Sequence, residues 1–99
     1  MRETLIEHQL IHAIQAHGGI CWKWVAPGTA GVPDRIAILP SHQDAEIIFI
    51  EVKAPGQKPR PIQTYRINQL KKLGAHVYII DSPQAIKQLL SDYRTGILK

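Results

Sequence analysis

Ile47-Ile48-Phe49-Ile50-Glu51-Val52-Lys53 is the stretch on which the fold turns. Four successive β-branched or aromatic residues read as a strand buried on both faces. The run then ends in a carboxylate and an ammonium, which a buried strand avoids unless they are paired or bind something. Side chains alternate along a strand, so Glu51 and Lys53 share a face, roughly 6–7 Å apart along the backbone. Upstream, Pro33-Asp34-Arg35 opens a second apolar run, Ile36-Ala37-Ile38-Leu39. The polar turn 40–46 between the two runs predicts an antiparallel hairpin. Asp34 then meets Glu51 and Lys53, the makings of a hydrolytic metal site.

Working outward, residues 3–17 read as a helix. Taking Leu10 as zero, Ile14 falls at about 40° and Ile11 at about 100°, and Glu7 at about 60° interrupts that apolar arc. His8 and His12 have i,i+4 spacing, but no Glu follows the first His, and both lie opposite the arc, which makes them surface residues. Gly18-Gly19 stops the helix. Residues 20–25 form a strand with Ile20, Trp22 and Trp24 on one face. The two tryptophans are suited to core packing or a subunit contact, and less to stacking on bases. Residues 26–33 form a small-residue loop delivering the chain to Asp34; the spacing is not that of a P-loop.

Beyond Lys53, Ala54–Pro61 has three prolines and two cations, a restrained, positive arm suited to phosphate contact. A helix follows over 61–73, with Gln63 inside its apolar arc and the Asp34/Glu51/Lys53 cluster as the partner it needs. Strand 76–80 should lie parallel to 47–53, because a helix connects them. Ser82-Pro83 opens a last helix that Gly96 ends. The order is αβββαβ plus a C-terminal helix around a mixed sheet, an α/β fold in one domain over 1–99.

Net charge is +4 with a pI near 9.5, and 44% of residues are hydrophobic. From Val52 to Ile80 there is no Asp or Glu, while six Lys or Arg fall there. A one-sign stretch beside carboxylates suits a polyanion, with nucleic acid the leading candidate. Lys23, Arg35, Lys58, Arg60 and Arg66 are the candidate DNA contacts. No apolar run reaches the ~20 residues of a membrane span and no signal-peptide pattern opens the chain, so no membrane partner is expected. The single Cys21 fits a reducing cytoplasm.

Two carboxylates from neighbouring strands suit Mg²⁺ or Mn²⁺, with the Val52 backbone carbonyl as a third ligand and Glu7 holding metal-bound water or a second ion. Lys53 would offset transition-state charge, and Gln63 would position the nucleophile. Pro33-Asp34 followed by Glu51-Val52-Lys53 resembles the PD-(D/E)xK nuclease signature, the restriction-endonuclease-like core. The wider set, Arg2 and Glu7, Pro27–Arg35, Glu51–Gly56 and Pro61-Ile62-Gln63, resembles the VRR-NUC family over nearly the whole chain. That resemblance implies metal-dependent phosphodiester hydrolysis with catalytic roles for Glu7, Asp34, Glu51, Lys53 and Gln63. It further implies a small phage or prophage type, a homodimer, and branched DNA such as four-way (Holliday) junctions. A non-catalytic binding module, a nuclease for linear or flap DNA, and a restriction-type nuclease are the alternatives.

Overall fold

The computed structural model describes residues 1–99 and bears out this order. Helix α1 spans Glu3–Ala16, strand β1 Ile20–Lys23, β2 Arg35–Pro40 and β3 Ala45–Val52. Helix α2 spans Pro61–Lys72, β4 His76–Ile80 and α3 Pro83–Thr95. The sheet order is β1-β2-β3-β4. β1, β2 and β3 pair antiparallel, and β3 and β4 pair parallel through the α2 crossover, giving the expected mixed sheet. No helix is long and apolar enough to cross a membrane.

Period-2 alternation divides the sheet sharply. Cys21, Ala37, Leu39, Ile48 and Ile50 point to one face, where Ile6, Leu10 and Ile14 of α1 and Ile86, Leu89 and Leu90 of α3 close over them as one core. Full burial of each Ile or Leu contributes about 1.5–3 kcal/mol, so this face carries most of the stability. Helix α2 lies across the other face and makes its main strand contact with β4.

Strand β1 is two residues shorter than the sequence suggests. Trp24 leaves the regular ladder, although its amide still donates to the Asp34 carbonyl at 2.8 Å, and its ring packs on Phe49 with centroids 4.9 Å apart. That bond ties the start of β2, and with it Asp34, to the end of β1. The loop behind Asp34 is held against α2: Arg66 Nε donates to the Ala30 carbonyl at 2.8 Å. Gly31 has φ +85° and lies so close to Ile62 that an added Cβ would fall 2.8 Å from the Ile62 carbonyl oxygen. Only glycine combines that backbone conformation with that approach.

Candidate active site

Asp34 and Glu51 stand at the open end of β2 and β3, on the α2 side of the sheet, as alternation requires. The β2–β3 pairing has ended there, so Val52 has no β2 amide or carbonyl opposite it. Asp34 Oδ2 accepts from the Val52 amide instead, at 2.9 Å. The Lys53 amide bonds to Ile80 on the β4 side. Alternate residues of a strand address opposite neighbours, so the Val52 carbonyl faces the Asp34 side with its own amide.

Glu51 is 1% exposed. Its Oε2 accepts from Gln63 Nε2 at 2.7 Å and pairs with Lys53 Nζ at 3.3 Å. Gln63 is fixed at both ends, because its Oε1 accepts the Arg60 amide at 2.8 Å and leaves only the NH₂ to face Glu51. Its inward position on α2 therefore has the cluster partner expected from the sequence. Glu51 Oε1 is buried with no hydrogen-bond partner. Burial pushes the Glu51 carboxyl above its ordinary pKa, the Asp34 charge adds to this, Lys53 opposes it, and Glu3 raises it further.

The contacts of Glu7 revise the reading of α1. Glu7 does not face this cluster: Arg35 Nε donates to Glu7 Oε2 at 2.8 Å, and Arg35 Nη1 donates to the Cys21 carbonyl. Burial pushes the Cys21 thiol up, the charge and hydrogen bond of Arg35 oppose this, and the Glu7 charge adds to it. Among the charges acting on Glu51, that of Glu3, an exposed residue one turn before Glu7, is the weakest. Seven residues before Leu10, Glu3 lies at about 20° on the helical wheel, nearer the centre of the buried Ile6/Leu10/Ile14 stripe than Glu7. That signal was available in the sequence.

Of the five candidate DNA contacts, Lys23, Lys58 and Arg60 are exposed, the last two on the arm leaving Lys53. Arg35 is committed to Glu7 and Cys21, and Arg66 to Ala30 and Gln69, so these two act first as structural ties. His8 and His12 are exposed as expected.

Two carboxylates, a carbonyl on their side and an orphaned buried oxygen fit a hard divalent cation, which takes oxygen ligands and would cancel the Asp34–Glu51 repulsion. No three His, Cys, Asp or Glu side chains converge anywhere, so the two carboxylates and the Val52 carbonyl are the protein ligands to expect. None of the cavities includes Asp34, Glu51 or Lys53. Asp34 and Lys53 are partly exposed at the strand ends, whereas Glu51 is buried behind them.

The chain is 45% identical over 82 residues to "Putative nuclease p44" of Acyrthosiphon pisum secondary endosymbiont phage 1, covering 83% of this chain and 85% of that protein. A solved VRR_NUC domain superposes with TM-score 0.83 at 30% identity, over 92% of this chain and 96% of that one. The chain belongs to the VRR-NUC family. No family model matches it. This VRR-NUC chain has the expected αβββαβ order plus a C-terminal helix, with Asp34, Glu51 and Lys53 on one side of the sheet.

Proposed function

We propose that this VRR-NUC chain is a Mg²⁺- or Mn²⁺-dependent endonuclease that nicks branched DNA, four-way junctions above all, and does so as a homodimer. The observation that carries the metal-dependent reading is the unpartnered, buried Oε1 of Glu51 beside Asp34. A buried acceptor without a partner costs about 1–3 kcal/mol, and a cation between the two carboxylates would remove that cost. Asp34, Glu51 and the Val52 carbonyl would hold the ion. A bound Mg²⁺ or Mn²⁺ supplies charge stabilisation at the phosphodiester and acidifies a water.

The remaining roles belong to side chains. Lys53, already held against Glu51, presents a cation to the developing charge on the phosphate. Gln63 orients Glu51. Glu3, exposed on α1, adds a weak negative influence at the margin. Lys58 and Arg60, on the exposed arm, take the flanking phosphates. A binding module without catalysis has no use for carboxylates that repel phosphate, which argues against that alternative. The preference for junctions and the paired subunits rest on the family resemblance, and a C₂ dimer offers two sites with the symmetry of two opposed nicks.

The test is a labelled panel of linear duplex, flap, splayed arm and four-way junction, with Mg²⁺, Mn²⁺, Ca²⁺ or EDTA. Nicking of the junction should be fastest, absent in EDTA and poor in Ca²⁺. Equal cutting of linear duplex would refute structure selectivity and leave the nuclease assignment standing.

A further inference from the structure

The loop 24–33 and helix α2 meet without closing fully on each other. Arg66 Nε holds the Ala30 carbonyl and Gly31 rests on Ile62, but a cavity of about 330 Å³ stays open between loop and helix. Trp24 and Val32 wall it from the loop, Leu70 and Leu73 from the helix. Leu73 is 86% exposed, and Trp24, Val32 and Leu70 are each partly exposed. Thr29, Arg66 and Gln69 add polar groups to this lining. Arg66 is fixed by its bonds to the Ala30 carbonyl and to Gln69 Oε1, which leave its Nη2 free.

We propose, resting on the nuclease reading above, that this cavity holds one unpaired nucleobase of the DNA strand being cut. Apolar walls with a few fixed polar groups are the make-up of a small-ligand site, and about 300 Å³ is the lower end of its size range. Charge selects the ligand. Neither the loop 24–33 nor the helix with its end, 61–73, contains an Asp or Glu, while the helix contributes Arg66, Lys71 and Lys72. Lys72 lines an adjoining hollow that shares Gln69 and Leu73 with the cavity. A nucleotide uses both features, its base against the apolar walls and its phosphate against the cations. A neutral apolar ligand has no use for the cations, and inorganic phosphate has none for the walls.

Backbone ties the cavity to the carboxylates. Val32 stands two residues before Asp34, and the Trp24 amide donates to the Asp34 carbonyl at 2.8 Å. A base seated against these two residues keeps its own strand at the end of β2, beside Asp34 and Glu51. Trp24 is braced by Phe49, and the loop is pinned to α2 by Arg66 and Gly31, so the site is formed before DNA arrives. Drawing a base out of the stack is easiest where it is mismatched or already single-stranded, as at a branch point. A base site therefore works against intact linear duplex, and gives the proposed junction preference a physical source in this chain.

Fluorescence titration in EDTA, where no strand is cut, tests this. A Trp22→Phe protein reports through Trp24 alone. A short oligothymidylate should quench Trp24 and bind about 10-fold more tightly than an abasic oligomer of equal length, whose phosphates are the same. Leu73→Glu, at an exposed helix end and with its fold checked by circular dichroism, should erase that difference. In the reciprocal Trp24→Phe protein, Trp22 emission should not respond. Equal affinity for the two oligomers, a difference that survives Leu73→Glu, or quenching of Trp22 in place of Trp24 overturns the base site and leaves the nuclease reading standing. A Trp24 signal that changes on dilution without DNA gives the cavity to a second copy and likewise overturns it. If neither oligomer binds and the substrate panel stays uncut, the nuclease reading falls as well.

Discussion

Replacing Glu51 by Gln should abolish cleavage and, in metal-free buffer, make the protein more stable. The carboxylate is buried with one oxygen orphaned, and the Asp34 and Glu3 charges press on it. Lys53 and Gln63 satisfy only Oε2. Glutamine has nearly the same shape, so its carbonyl can keep both of those bonds while its NH₂ faces Asp34 as a donor. Neutralising a charge in such a setting is worth about 1–2 kcal/mol. For a chain of this length each kcal/mol moves Tm by about 4–8 °C. The assay is a thermal melt of both proteins in EDTA, repeated with Mg²⁺ or Mn²⁺. Ten-fold above its Kd, a bound ion stabilises the unmodified protein by about 1.4 kcal/mol and closes or reverses the gap, while the Glu51→Gln variant should barely respond.

The pH dependence has a definite sign. Glu51 has its folded-state pKa raised above the ordinary 4.5. The destabilising charge is therefore fully present above the folded pKa and disappears as pH falls toward 4.5. The advantage of the Glu51→Gln variant should be largest at neutral to alkaline pH and shrink on acidification. If that variant melts below the unmodified protein in EDTA at neutral pH, the reasoning is refuted, because Glu51 would then be stabilising the metal-free fold.

Asp34→Asn keeps an oxygen for the Val52 amide, so Tm should stay within a few degrees while cleavage falls by at least about 10²-fold. A similar rate loss is expected for Lys53→Ala, checked on the same labelled junction. Glu3→Gln, at the exposed margin, should leave the cleavage rate near normal, and Glu7→Gln should cost about 1 kcal/mol of stability through the lost Arg35 pair with the rate also near normal; a rate loss in Glu7→Gln would restore Glu7 to the site. Gly31→Ala combines a positive φ with a Cβ 2.8 Å from Ile62 backbone; about 2–3 kcal/mol should be lost, read in urea, with cleavage falling because Asp34 sits three residues on.

The Asp34, Glu51 and Lys53 cluster was legible because strand alternation has one answer: once β2 and β3 pair, residues 34, 51 and 53 must share a face. Gln63 was legible for a similar reason, as a polar residue inside an apolar helical arc. The α1 carboxylate was harder. Both Glu3 and Glu7 touch the arc, and the wheel angle that favours Glu3 does not say how far along the helix the sheet ends. Arg35, a candidate DNA contact, points away from Asp34 by alternation. What covers the other side of a strand is a tertiary fact: here it is the N-terminal half of α1, and Arg35 meets Glu7 there. Arg66 likewise gives no local sign that the Ala30 carbonyl lies within reach 36 positions away. The short end of β1 follows from Trp24 packing on Phe49, again a partner distant in sequence.

These long-range ties explain how a repulsive pair of carboxylates survives in so small a fold. Asp34 is fixed by the Val52 amide, Gln63 by the Arg60 amide, and the loop before Asp34 by Arg66 and by the Gly31 contact with Ile62. Each tie ends on backbone, so none can relax without unpairing a strand end or a helix turn. The α1/α3 side supplies the burial that keeps those ends in place. These ties, with Gln63 and Lys53 on Glu51, hold Asp34 and Glu51 beside each other despite the repulsion between their charges. An arrangement held this firmly against its own charge is pre-organised for a cation, whose arrival removes strain instead of creating order.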